Sequence, residues 1–456
     1  MIILIQQFIN RNLELSFLEE KFNENKGQLI IIYGRRRIGK TELIRKFVDG
    51  KRAIYHMCTY DSIGENINSL KDQMARFTGN PIFRNLSVNL FDLFKYFREQ
   101  IGQEKVVICI DEFPYLIQID RSIPSVFQKL FDLVISDSKI YLILSGSSIS
   151  IMENEVLNYR SPLYGRRTGS YELLGFDLKH ISSFYNGNLE DTIKISSVFG
   201  SSPFYLSLLD KNKSIEENIK KKILTKGEIL YEEPRILMKQ EFNEPRVYEM
   251  IIRHIANGYV KFGELQNSVH LDKGNISRYL ETLISSKMVN YILPFKQRRG
   301  GIYEIDDSFL NFYYRFVYPN ISDLELGKID SVYSRIEKEL NTYYGKMFER
   351  IVLNLINKRI LEIPLNSFSL HRYWHKGNEI DGIALEDDHN RVAFIEIKFS
   401  DNVDGIRIAK ELKMKSEMVP VHTTEKYYII IAKSFKSRSE DSINIDLCQI
   451  EKFIFR

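Results

Sequence analysis

Cysteine is scarce in this sequence: there are three, Cys58, Cys109 and Cys448, far apart and without CxxC spacing. Their scarcity excludes a disulfide framework and a cysteine-built zinc site, and it fits a reducing, cytoplasmic setting. Long apolar runs are missing as well. The start, MIILIQQFINRNLELSF, is apolar for only a few residues and has neither a basic n-region nor a small-residue cleavage site. No later run approaches the ~20 residues of a membrane span, so no membrane partner is expected. Low-complexity tracts are absent, which argues against disorder. Neither charge dominates: 64 Lys+Arg against 60 Asp+Glu leaves +4, a balance that neither demands nor excludes nucleic acid. What remains is a globular composition in 456 residues, too many for one core, so three or four domains are expected.

The first clear motif lies in GQLIIIYGRRRIGKTELIRKF. An apolar, β-branched run leads into Gly34-x-x-x-x-Gly39-Lys40-Thr41, and helical spacing follows at Leu43, Ile44 and Phe47. Strand, loop and helix in this order make a phosphate-binding loop, formed by Gly34, Arg35, Arg36, Arg37, Ile38, Gly39, Lys40 and Thr41. The glycines let backbone N–H groups face the β-phosphate, Lys40 reaches the β/γ oxygens, and Thr41 can ligate Mg2+. In KVVICIDEFPYL a second buried strand ends at Asp111-Glu112, where parallel sheets place ligands. There Asp111 would hold the Mg2+ shell and Glu112 would orient or deprotonate the attacking water. A third strand, KIYLILSGSS, ends in hydroxyls, and Ser145 or Ser147 is a γ-phosphate sensor candidate. In a phosphate loop the backbone does the cradling, so one or two of Arg35 to Arg37 are read as partners for domain-interface carboxylates or for Asp111-Glu112, and the others as solvated.

These motifs, with FINRNLEL before them and SPLYGRRTG and LLGFDLKHISSFY after, resemble in order the archaeal ATPase family of the AAA+/STAND branch of P-loop NTPases. The resemblance covers essentially the whole chain. It implies ATP as the nucleotide, an α/β P-loop core over residues 1–175 and a helical lid over 176–240. It also makes Arg166 or Arg167 an arginine-finger candidate, in cis or from a neighbouring subunit. The family's Gly-x-Pro lid motif appears as FGSSPFYL, keeping Gly200 and Pro203 but with Ser201 where a second glycine is common.

Residues 241–320 read as a winged helix-turn-helix: three helices in tandem, then candidate wing strands in MVNYILPF and GIYEID joined by the basic loop KQRRGG. Asn275, Ser277, Arg278 and Lys287, with Lys296, Arg298 and Arg299 of the loop, are the candidate DNA contacts. Such modules also dock within their own chain, and that option stays open. In YEIDDSFLNFYYRFVYP, Phe309, Phe312, Tyr313 and Phe316 have the spacing of a buried helical stripe rather than a base-stacking platform.

The last third, 335–456, carries a helical Glu349 and then two β-rich segments around the turn DDHN. If Glu386 opposes Arg391 across that turn, Asp381 falls opposite Glu396, about 4.5 to 5.5 Å away between Cβ atoms, and Lys398 shares the face of Glu396. Paired carboxylates among apolar residues need a compensating cation. The set Glu349, Asp381, Glu396 and Lys398 resembles the PD-(D/E)xK nuclease core, although Ile380 stands where a proline often precedes the Asp. That resemblance implies a restriction-endonuclease-like α/β domain in which the three carboxylates bind Mg2+ and Lys398 positions water. His371 and His375 read as surface residues. Two functions are compatible with the whole: an ATPase that presents DNA to a Mg2+-dependent nuclease, or a non-catalytic ATP/ADP switch, of STAND type, whose winged helix and inactive nuclease-like domain bind DNA or a protein partner, or self-associate, without cutting. A protein-threading ATPase lacks its pore-loop motif.

Overall fold

The computed structural model describes residues 9–388 and 390–456. Phe8 of FINRNLEL, the apolar residues before it and His389 of the DDHN turn lie outside the described residues. The chain divides into two compact units, one of the residues up to Gly175 together with Ser202–Phe204, the other of Phe176–Ser201 and Tyr205–Arg456.

The first unit is built on five parallel strands: β1 (Gln28–Tyr33), β2 (Ala53–Met57), β3 (Val106–Asp111), β4 (Ile140–Gly146) and β5 (Gly169–Glu172). Their order across the sheet is β2-β3-β4-β1-β5. β3 and β4 are buried throughout, and β1 is buried to its last residue. Helices cover both faces of such a sheet, which is why the strands read as continuous apolar runs without alternation. All strands point the same way, so the loop after β1, Asp111 at the end of β3 and Gly146 at the end of β4 share one rim. At Gly34 the rim is tight: a Cβ there would lie 2.4 Å from the Leu173 carbonyl oxygen.

In the second unit, residues 178–241 are mostly helical. Helices Pro245–Ala256, Phe262–Val269 and Lys273–Ser285 follow, then an antiparallel ribbon of β6 (Val289–Ile292) and β7 (Ile302–Ile305). Phe309, Phe312, Tyr313 and Phe316 are buried, as their helical spacing requires. The helix Ile329–Asn357 then runs unbroken for 29 residues. The expected boundary at 335 falls inside it, because an amphipathic helix can belong to two packing layers without an intervening linker.

The chain ends in a mixed sheet of β8 (Phe368–His375), β9 (Asn378–Glu386), β10 (Arg391–Lys398), β12 (Glu425–Ala432) and β14 (Ile443–Ile445). A two-residue β11 (Val403–Asp404) pairs separately with β13 (Phe435–Ser437). β8, β9 and β10 run antiparallel; β10, β12 and β14 run parallel. The helix Gly405–Glu417 lies between β10 and β12 in sequence and supplies the crossover that parallel neighbours need. Val392 faces Leu385 and Ile395 faces Gly382, the register expected from the sequence, which carried one step further sets Glu396 beside Asp381. Gly382 matters to this arrangement. A Cβ there would stand 2.8 Å from Leu353 Cδ2, so its absence lets the long helix settle onto the sheet. Glu349, one turn before Leu353, is thereby brought close enough for Asp381 to perturb its charge.

Candidate functional site

The phosphate loop is closed on itself. Lys40, at the first residue of its helix, donates to the carbonyls of Gly34 (2.8 Å) and Arg35 (2.9 Å) and is almost fully buried. Thr41 Oγ1 donates to Asp111 Oδ2 at 3.1 Å, so the two expected Mg2+ oxygens meet across the rim. Tyr55 donates to the same Asp111 oxygen. Burial, with the Asp111 charge second, pushes the Tyr55 phenol up, so it remains a donor. Glu112 sits in a left-handed turn (φ 54°) immediately after β3, and its Oε2 accepts from Ser147 Oγ at 2.6 Å. Ser145 is fully buried, and its hydroxyl is without a partner among the described residues.

The three loop arginines differ from one another. Arg36 donates to the Tyr115 hydroxyl at 3.2 Å, while the Arg37 guanidinium lies 4.5 Å from the centre of the Phe204 ring. The Arg37 carbonyl accepts from Ser202 Oγ at 2.8 Å, which ties the segment Ser202–Phe204 to the loop. Arg166 pairs with Asp132 at 3.2 Å and Arg167 stacks on its own Tyr164. Arg166 and Arg167 lead into β5, whose Gly169 pairs with Ile30 near the start of β1. Thr168 N bonds the Leu29 carbonyl at the start of β1, and the phosphate loop follows the other end of that strand, about 16 Å away at 3.3 Å per residue.

Arg11 escaped the sequence reading. It is buried, adopts φ 95°, and donates through Nη2 to the carbonyls of Ile38 (3.0 Å) and Leu174 (2.9 Å) while pairing with Glu14 (2.9 Å). Arg11 therefore ties the phosphate loop, at Ile38, to the segment after β5, at Leu174. Arg11→Ala leaves a buried loop carbonyl short of its donor, a cost of about 1–3 kcal/mol, and is expected to weaken ATP binding about tenfold. A titration with a fluorescent ATP analogue checks this, and unchanged affinity would remove Arg11 from the loop's support.

At the C-terminal sheet, Asp381 Oδ2 accepts from the Ile397 N–H at 2.7 Å, beside Glu396. Burial first, and the Glu396 charge second, push the Asp381 carboxyl up to about 6. Burial also pushes Glu349 up to about 7, with Arg372 opposing and Asp381 adding to the rise. Lys398 lies 2.8 Å from Glu396. Its burial disfavours the ammonium, yet Glu396 and Asp381 carry its pKa above the ordinary value. Two cations were missed by the sequence reading. Lys415 reaches Glu396 at 3.1 Å from the crossover helix, and Arg372 lies 2.8 Å from Glu349 and 2.5 Å from Glu304. These cations neutralise the carboxylates singly, and among the described residues no group of three His, Cys, Asp or Glu side chains is arranged to hold a metal ion as it stands. Glu349 is turned to Arg372, and Glu396 to Lys398 and Lys415.

The candidate nucleic-acid residues are dispersed. Asn275 belongs to a helix cap, its N–H bonding Asp272 Oδ1 at 3.0 Å. Ser277 donates to the Lys273 carbonyl, Arg278 leans on Tyr279, and Lys287 sits at the turn into the ribbon with φ 55°. Lys296 is committed to the Pro420 carbonyl at 3.1 Å, whereas Arg298 and Arg299 are exposed. Its neighbour Phe295 is buried with Tyr373, Ile380 and Phe394, so the basic loop is seated on the C-terminal sheet. His375 is exposed as expected; His371 is half-buried against Phe295, and burial lowers its pKa.

Comparison with known proteins agrees with this geometry. Residues 8–209 match a family described as an ATPase domain predominantly from Archaea. An uncharacterized protein of Methanocaldococcus jannaschii is 33% identical over 453 residues, 96% of this chain and 99% of its own length. The chain belongs to this archaeal ATPase family. Residues 313–413 match a second family, Archaea bacterial proteins of unknown function. A short uncharacterized ATP-binding protein of the same organism is 62% identical over 48 residues, 10% of this chain and 81% of its own. The Walker-type ATPase of Pyrococcus abyssi shares the fold with a TM-score of 0.50 at 19% identity, over 68% of this chain and 96% of that one. The first unit is thus a P-loop ATPase domain, and no described helix is long and apolar enough to cross a membrane.

Proposed function

We propose that this ATPase uses Mg2+-dependent ATP hydrolysis to govern cleavage of DNA by its C-terminal domain. In this reading residues 241–320 are a winged helix that contacts DNA through Arg298 and Arg299, and the C-terminal domain is of the restriction-endonuclease-like class. The observation that carries it is the carboxylate pair Asp381 and Glu396 on adjacent strands, with Lys398 two residues on and Glu349 above, in a helix–three strands–helix–strand frame. The donor set suits a divalent ion. All three carboxylates are oxygen ligands, two are held near neutrality by burial, and a dication would relieve their repulsion. Such an ion would polarise a phosphate ester, and Lys398 would hold the attacking water and steady the developing charge. At the other site, Thr41 and Asp111 would hold Mg2+ on the nucleotide, Glu112 would orient water once released from Ser147, and an Arg166 or Arg167 from a neighbouring subunit would complete the site.

A second reading, a non-catalytic ATP/ADP switch, draws on the seating of Phe295 and Lys296 on the C-terminal sheet, which is how an intramolecular docking module sits. One experiment separates the two. Plasmid, linear and branched DNA are incubated with the full chain, with and without ATP and Mg2+ or Mn2+. Cleavage is expected to vanish in Asp381→Ala while that variant's ATPase rate is unchanged. No cleavage of any substrate under any condition would leave the switch.

A further inference from the structure

Arg372 joins two elements in one residue. Through its backbone it holds the ribbon: the Phe295 N–H donates to the Arg372 carbonyl at 2.8 Å, and Pro294 bridges to Arg372 in parallel fashion. Around this seam Phe295 is buried in the core of the C-terminal sheet, and Trp374 Nε1 donates to the Gly300 carbonyl at 3.3 Å. Through its side chain Arg372 faces the other way, with Nη1 2.5 Å from Glu304 on β7 and Nη2 2.8 Å from Glu349 on the long helix. The Arg372 side chain is 16% exposed and its two partners 20% and 18%, so little water screens the trio. Arg350 adds a second tie, donating to the Asp306 carbonyl at 3.0 Å.

We infer that Arg372 is a positioning residue that stands in for a cation at Glu349 and makes divalent-metal binding by Glu349, Asp381 and Glu396 depend on whether the ribbon is seated. The inference rests on the reading of these carboxylates as a metal site. With the ribbon seated, a guanidinium fixed between Glu304 and Glu349 occupies one carboxylate and repels an arriving dication. With the ribbon lifted, Glu304 leaves with it, the backbone seam at Phe295 opens, and Arg372 turns to solvent, where its charge is screened. Glu349 is then available to the ion. The two exposed arginines of the ribbon loop, Arg298 and Arg299, lie on the segment whose departure would do this.

The test is Mn2+ titration by calorimetry on the full chain at pH 8 without nucleotide, with Asp381→Asn run in each background to define which binding belongs to the cluster. Arg372→Gln is expected to raise the Asp381-dependent affinity about tenfold, since one unit charge next to the ion is removed. Arg372→Lys keeps that charge and is expected to retain the wild-type affinity, an outcome a purely structural role would not give. Phe295→Ser unseats the ribbon without touching the carboxylates and is expected to raise affinity in the same direction as Arg372→Gln. It also provides a reading should Arg372→Gln fail to fold. Asp381-dependent binding of equal strength in wild type, Arg372→Gln and Phe295→Ser would overturn the inference while leaving the metal site intact. Absence of any Asp381-dependent Mn2+ binding in every background would overturn both.

Discussion

Lys40→Ala is expected to lower ATP turnover by about two to three orders of magnitude, the usual loss when one preorganised donor to a developing oxyanion is removed. The ammonium bonds the Gly34 and Arg35 carbonyls. From its place at the start of the phosphate-loop helix it is expected to turn to the β/γ oxygens of bound ATP. The substitution therefore has two consequences that can be told apart. Stability without nucleotide falls by about 1–3 kcal/mol, because two loop carbonyls are left short of a donor. Turnover falls far more, because the positive charge expected at the β/γ oxygens goes with the ammonium. Phosphate release under saturating ATP, set beside a melting curve, measures both. A turnover within a factor of a few of wild type would sink the assignment of Lys40 to the phosphates.

The metal-free protein is expected to lose stability as pH rises from 5 to 8, and the C-terminal sheet is where the loss arises. Burial holds Asp381 near 6 and Glu349 near 7, both above their ordinary values of 3.8 and 4.5. The folded state thus keeps protons that the unfolded state has released, and stability declines across the interval between the two sets of values. Below about pH 4 both states are largely protonated and the penalty is absent; above about pH 8 it is complete. One pKa unit corresponds to about 1.4 kcal/mol, but the groups are coupled and partly solvated, so a combined loss of about 3 kcal/mol is expected. Asp381→Asn removes one titration and its push on Glu349, and should flatten the profile. Trp374, the chain's one tryptophan, lies in β8, so urea unfolding followed by its fluorescence reports on this sheet. An equal slope in wild type and Asp381→Asn would refute the assignment.

Much of this architecture was legible in the sequence because its signals are local. The phosphate loop announces itself by spacing, Asp111 by an apolar strand that ends on it, and the Asp381–Glu396 pairing by counting back from a turn. In strands a period of two leaves one register once the turn is placed. What was not legible involves partners far apart along the chain. Arg372 meets Glu304 across 68 residues, Arg11 reaches Leu174 across 163, and Lys415 meets Glu396 from a helix whose rotation no hydrophobic pattern specifies. Tyr55 belongs to no motif, and its bond to Asp111 arises only where β2 lies beside β3. The cations beside the carboxylates were missed for the same reason, since an arginine or lysine carries no sequence mark of which acid it will neutralise.

The unbroken helix Ile329–Asn357 has a consequence for how this chain can vary. Tyr343 is anchored in the helical region, its hydroxyl donating to the carbonyls of Ser197 (2.9 Å) and Ser308 (3.1 Å). Glu349, six residues later, looks toward the strands, and at about 100° per residue the two side chains are set on different sides of one rod. Substitutions between them keep that phase. Adding or deleting a single residue there would swing Glu349 by about 100° and shift it about 1.5 Å along the axis, away from Asp381. The stretch from 343 to 349 is therefore held in its length as well as in its buried residues Tyr344, Met347 and Phe348, a constraint felt in counting as much as in chemistry.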